Sequence, residues 1–260
     1  MSQTTLISKS NSSGAIINDD FIYIMGLPRC GTTATQRFIS HLNDKNTLNG
    51  ETFQNICRYH EPVRFIENVQ SYIKSKKLII GNVRNPLDFY ISFYNFYKYS
   101  TPHVWERVVA RDFKSYLHYM MFELKWDSFM DNFDGYRYRS SQQWHDNDKL
   151  DLGFFTKRYI NMFFMNAVDI LNNWTAEQFY AEHDNQITVN NICKQETLQH
   201  DIITLLGNNI KYNMEQLNSS MGGVKYDRVD YYDNESLNWV LKKDFIIFKN
   251  YYKKELDVQQ

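Results

Sequence analysis

Arg29, Thr32 and Thr33, set among Gly26, Pro28, Cys30 and Gly31 in the run GLPRCGTT, have the composition of an anion cradle. Gly26 and Gly31 admit positive φ or close backbone approach, and Pro28 stiffens the turn. The two threonines supply hydroxyls where the next helix begins, at its positive dipole end. The phosphate loop of nucleotide hydrolases reads GxxxxGK[ST], and here Thr32 stands at the lysine position. Such a site reads as holding a phosphate that is not itself transferred. Taken alone, the run also fits an ordinary strand–turn–helix whose glycines only make the turn. A second group follows in KKLIIGNVRNPLDFYISFYNFY from Lys76, with Arg84, Asp88 and Ser92. Asp88 and Ser92 are four apart, the spacing of neighbours on a helix face. A guanidinium fork and a hydroxyl, Arg84 with Ser92, make a second phosphate-sized donor set. Two such sites suggest a ligand with two separated phosphate groups.

These groups need elements that bring them together. Phe21 to Met25 reads as a buried strand before the first loop, and Thr33 to Leu42 as the helix after it. Leu78 to Val83 reads as a parallel-type strand with Arg84 at its carboxyl end. Pro86 suits the first turn of an aromatic helix over Leu87 to Tyr99, whose rings are read as core. Ligands of open α/β sheets bind beyond the carboxyl ends of strands, so loop and Arg84 are expected to share one crevice. The fold class expected is α/β, a parallel sheet flanked by helices. Further helices are expected over Glu61 to Ser75, Val104 to Trp126, Leu152 to Trp174 and Ser236 to Lys254, with Asp127 to Asp151 as a loop or lid. Residues 1–18 are Ser/Asn-rich and expected to be loose, leaving 19–260 as a single domain.

The ordered pair, PRCGTT and then RNPLDFYISFY after a second strand, resembles the nucleotide-binding signatures of the sulfotransferases. Those enzymes use 3′-phosphoadenosine 5′-phosphosulfate (PAPS) as sulfuryl donor. The resemblance implies a P-loop NTPase-like sulfotransferase fold. It puts Pro28, Arg29, Cys30, Gly31, Thr32 and Thr33 at the 5′-phosphosulfate. RxPxDxxxS, with Arg84, Pro86, Asp88 and Ser92, matches the 3′-phosphate site. More softly, Ile187 to Gly207 resembles the family's late strand and following helix, and Val229 to Tyr252 the C-terminal helix of the carbohydrate-type branch. Lys225, beside Gly222 and Gly223, sits where several relatives close a basic loop over the 3′-phosphate. About 101–173 matches no motif and is read as a helical, aromatic insertion near the acceptor. Cys30 departs from the serine or other small residue more usual there, and in a donor-rich loop near a helix start an activated thiol is expected.

Transfer needs a general base for the acceptor hydroxyl. Glu51, in LNGET, resembles the GE dipeptide whose glutamate is the base in glycan- and tyrosine-sulfating relatives. His60 is the rival, because small-molecule sulfotransferases use histidine. Either is otherwise a solvated loop residue. Arg29 and the loop amides would stabilise the leaving phosphate. The acceptor expected is a glycan or small-molecule hydroxyl. Two other readings stay open: a P-loop kinase of a small metabolite, and a non-catalytic nucleotide-binding relative.

Composition narrows the partners. The 260 residues carry a net charge of −1, so no global field recruits nucleic acid or membrane, and an anionic ligand must be met by local positives. Cys30, Cys57 and Cys193 are odd in number and scattered, and HEPVR from His60 lacks the second histidine of HExxH, which argues against a disulfide scaffold and against a metal. No apolar run approaches about 18 residues, and MSQTTLISKSNSSGA has no signal-peptide core, so a cytoplasmic protein is expected. Sequence leaves the oligomeric state open.

Overall fold

The computed structural model describes residues 15–17, 21–24, 27, 29–35, 38, 62–66, 69–75, 78–100, 112–124, 149–206 and 226–257. Among these, β1 (Ala15–Ile17), β2 (Phe21–Ile24), β3 (Leu78–Val83) and β4 (Asn191–Lys194) form one sheet in that order. The helices are α1 (Val69–Lys74), α2 (Pro86–Ser100), α3 (Phe113–His118), α4 (Phe154–Phe163), α5 (Ala167–Asn173) and α6 (Ala176–Gln186). They continue with α7 (Leu198–Leu206), α8 (Asn234–Lys243), α9 (Phe245–Tyr251) and α10 (Lys253–Asp257).

The chain divides into two compact units. The first gathers Met1–Arg84, Met162–Met165 and Ile187–Val224. Its sheet is the α/β core: β2, β3 and β4 run parallel, with Phe21 opposite Leu78 and Ile80 opposite Asn191. α1 packs on β2 and β3, and α7 on β4. β3 is central because LIIGNV has no polar alternation, as a strand covered on both faces requires, and Ile79 to Val83 are all buried. At Gly81 a Cβ would lie 2.8 Å from the Phe163 ring and 3.1 Å from Val189, so the missing side chain is what lets that ring close on the sheet. β1 lies within residues whose composition read as loose, and pairs antiparallel with β2, Ala15 opposite Ile24. The runs AII and FIYI, separated by Asn18, Asp19 and Asp20, carry a hairpin signal that Ser/Asn content masks.

The second unit gathers Asn85–Asn161, Asn166–Gln186 and Lys225–Gln260. The aromatic face of α2 is its core: Phe89, Tyr90, Phe93 and Tyr94 are buried, and Phe89 lies 4.4 Å from Phe155 between ring centroids. Asp244, fully buried, accepts from the Thr156 backbone N–H at 2.9 Å and from its hydroxyl at 2.7 Å, which satisfies the start of α4. The Tyr90 hydroxyl donates to the same carboxylate at 2.9 Å and accepts from Phe155 N–H at 3.0 Å.

Three expected helices are broken where a polar or tertiary contact takes over. Asp112 is extended and its side chain accepts from Ser115 N–H, so α3 starts at Phe113 rather than running through from Val104; residues 101–111 lie outside the described set. The span Leu152 to Trp174 divides at Phe164, which leaves the helix to bridge Ile187, with Thr188 N–H on the Phe163 carbonyl at 3.0 Å. The last helix divides at Asp244, whose side chain is turned to α4. Of the helix expected over Glu61 to Ser75, the described residues show a 3-10 turn, Val63–Phe65, and α1.

Candidate functional site

β2 delivers the chain into the loop, and two residues of that loop adopt positive φ. Arg29 has φ +64°, alone among the described non-glycine residues, and Gly31 has φ +80°. Cys30 between them does not. Alternation of this kind turns successive backbone N–H groups toward one concavity that suits an anion. For arginine the left-handed conformation costs about 1–2 kcal/mol, so something must hold it. At Gly31 a Cβ would lie 3.0 Å from Leu198 and 3.4 Å from Gln195, so both conformation and space select glycine. Residues 32–35 are helical, and the Gly31 carbonyl accepts from Thr35 N–H at 2.9 Å.

The holding group is Arg84. It sits at the carboxyl end of β3, next to β2, and its Nη1 donates to the Arg29 carbonyl at 3.1 Å. Arg84, the first residue of the second motif, thus meets a loop more than fifty residues earlier in sequence, its guanidinium on a left-handed peptide at the carboxyl ends of β2 and β3. Beneath them Asn82 of β3 donates from Nδ2 to Thr35 Oγ1 at 2.7 Å, and that hydroxyl donates to the Gly31 carbonyl at 3.2 Å.

In the second unit, Asn85 caps α2: its Oδ1 accepts from Leu87 N–H at 3.0 Å and its carbonyl from Phe89 N–H at 2.8 Å, with Pro86 in the first turn. Asp88, expected as part of the second motif's phosphate site, has another partner. Arg228 donates to both of its oxygens, Nε and Nη2 each at 2.8 Å, and reaches Glu255 through Nη1 at 3.1 Å. Glu255 in turn accepts from Asn85. Donating these hydrogen bonds to Asp88 holds the Arg228 guanidinium above its ordinary pKa. Tyr232 completes the attachment, donating to the Leu87 carbonyl at 2.8 Å.

Of the expected site residues, Arg29, Cys30, Gly31, Thr32, Thr33 and Arg84 belong to the first unit. Thr33 is exposed while Thr32 is buried, so consecutive hydroxyls leave the helix in different directions. Cys30 has no exposed surface, which places its thiol out of reach of reagents in solvent rather than presenting it as an activated nucleophile. Ser92 lies on α2 in the second unit, 6% exposed. Pro28, Glu51, His60 and Lys225 lie outside the described residues. Sequence reasoning missed Asn82, Thr35 and Arg228. The amide in LIIGNV was a readable signal for the first; Arg228 had none, since only its carboxylate partner lay in a motif.

A sulfotransferase domain model matches residues 19–147. That stretch holds β2, the loop, β3, Arg84 and α2 in order. The chain belongs to the sulfotransferase family. Membership supports sulfuryl transfer as the activity, and the match does not specify a branch of the family. β4 and the helices from α4 onward fall outside the matched stretch. No curated protein and no solved structure matches the chain. Among the described residues no group of three or more His, Cys, Asp or Glu could hold a metal ion, and no helix is long and apolar enough to cross a membrane.

Proposed function

We propose that this chain moves the sulfuryl group of PAPS to an acceptor hydroxyl, of a carbohydrate or small metabolite, by direct in-line transfer. The observation that supports the reading is the Arg84–Arg29 hydrogen bond at 3.1 Å, which brings the arginine of the second signature onto the first loop at the carboxyl ends of adjacent parallel strands. The donor set fits the ligand: two arginines, a left-handed Gly31 with no room for a Cβ, and a helix start lie where an anion needs positive partners. When bound, PAPS supplies the sulfuryl group together with a phosphate leaving group. Arg29 and the loop amides stabilise the charge that grows on that phosphate, and the Thr33 hydroxyl lies on the exposed side of the helix start. The lysine of nucleotide hydrolases is replaced by Thr32, in keeping with a phosphate that is held and not transferred.

Arg84 is assigned to the 3′-phosphate, and Ser92 and Lys225 are candidates by motif alone. Glu51 takes the proton from the acceptor, with His60 as the rival base. A cytoplasmic setting, and action without metal, nucleic acid or membrane, belong to the same proposal. Calorimetric titration with adenosine 3′,5′-bisphosphate, against AMP and ATP–Mg²⁺, tests it. Micromolar binding that requires the 3′-phosphate supports the reading. Equal or tighter binding of ATP–Mg²⁺ replaces it with a small-metabolite kinase. Bisphosphate binding with no turnover across an acceptor panel leaves a non-catalytic relative.

A further inference from the structure

We infer that Asn82 is a positioning residue for the phosphate loop, acting through Thr35; the inference rests on the reading that this loop holds the 5′-phosphate of the nucleotide. Asn82 occupies the central strand among Ile79, Ile80 and Val83, and is 1% exposed. An amide in such a strand is unfavourable unless both of its ends are satisfied. Only one is: Nδ2 donates to Thr35 Oγ1 at 2.7 Å, and Oδ1 has no partner among the described residues. Turning the amide over would exchange the two atoms and still leave one polar end alone. Leucine would fill the position without that penalty, so packing does not explain the residue.

What Asn82 does is orient a hydroxyl. Thr35 is fully buried, and its Oγ1 accepts from Asn82 while donating to the Gly31 carbonyl at 3.2 Å. That carbonyl already accepts from Thr35 N–H at 2.9 Å. Both of its lone-pair directions are therefore taken, and the Gly31 peptide is fixed from the side of the sheet. The plane of that peptide sets the direction of the Thr32 N–H, the first donor of the helix start. Asn82 also lies under Gly31 itself, with Nδ2 3.8 Å from where a Cβ would stand. The chain Asn82–Thr35–Gly31 thus transmits the rigidity of β3 to the loop, and Asn82 makes no contact with ligand.

The test compares two probes, adenosine 3′,5′-bisphosphate and adenosine 3′-monophosphate, which differ only in the group the loop is read to hold. In the intact protein the bisphosphate should bind tighter. In Asn82→Leu and in Thr35→Val that preference should fall about tenfold, the effect of one hydrogen bond, while 3′-monophosphate binding stays unchanged. The double variant should lose no more than either single one, and Thr35→Ser should keep the full preference. A merely structural role would weaken both probes together. An unchanged preference in both single variants, or losses that multiply in the double variant, overturns the inference. If Asn82→Leu does not fold, Thr35→Val, which keeps the branched shape, decides the point. Absence of any 5′-phosphate preference in the unmodified protein removes the functional reading and the inference with it, and shows itself before any variant is made.

Discussion

Breaking the clamp between Asp88 and Arg228 should destabilise the second unit by a calculable amount. Asp88 is 19% exposed at its side chain and receives two charge-assisted hydrogen bonds, each at 2.8 Å. Such bonds contribute about 1.5–3 kcal/mol each when shielded, but the Arg228 side chain is 37% exposed and water screens part of this. Removing Asp88 does not strand a buried cation, because Arg228 keeps Glu255, so the 3–5 kcal/mol typical of an orphaned charge does not apply. The carboxylate also sits in the first turn of α2, where the dipole adds about 0.3–1 kcal/mol. Asp88→Ala should therefore lower stability by about 2–3 kcal/mol. The dipole contribution belongs to Asp88 alone and cancels in a double-mutant cycle with Arg228→Ala, leaving a coupling of about 2 kcal/mol. Urea unfolding followed both by circular dichroism and by tryptophan fluorescence is the assay. Two probes are needed because the chain holds two compact units and coincident transitions must be shown. A coupling below about 0.5 kcal/mol, the level of an exposed surface pair, would refute the clamp and return Asp88 to a role at the ligand.

Arg84→Ala should weaken adenosine 3′,5′-bisphosphate binding by about 1.5–3 kcal/mol, read by calorimetry; an unchanged dissociation constant would place the 3′-phosphate elsewhere. Glu51→Gln should reduce turnover by about 10²–10⁴-fold with cofactor affinity nearly intact, and if His60→Ala does so instead, the base is His60. Burial keeps the Asp244 carboxyl protonated up to about pH 6, against an ordinary 3.8, with the Thr156 and Tyr90 hydrogen bonds and Lys243 opposing the rise. The folded state thus keeps a proton that the unfolded chain releases in this window, so stability falls as pH rises through it, by up to about 1.4 kcal/mol per pH unit and about 3 kcal/mol in all. Asp244→Asn, unable to ionise, should flatten the pH profile of urea midpoints between about pH 4 and 6; an equally steep profile would show that another group titrates.

Much of the framework around the loop was legible in the chain because its signals are local. FIYIMGLPRCGTT carries strand, turn and helix start within one stretch, and left-handed Gly31 follows from the residue type itself. LIIGNVRNP marks a buried strand, a capping asparagine and a first-turn proline without reference to anything distant, and α2 begins where those residues say. The meeting of Arg84 with the loop was also expected, since parallel strands bring their carboxyl ends to the same side.

What the tertiary structure alone decided has a common physical cause: a polar group was claimed by a partner far along the chain. Asp88 was read with the phosphate site and is bound instead to Arg228, 140 residues away. Leu152 to Trp174 has helical periodicity throughout, but at Phe164 pairing with Ile187 outweighs helix propensity. Asp244 ends one helix and satisfies the start of another 88 residues earlier. Hydrophobic period and turn chemistry reach only a few residues, so they specify which elements form and which loop can hold an anion. Which carboxylate meets which guanidinium, and which amide steadies the loop, depends on desolvation in the assembled core, where every polar group left unmatched costs stability.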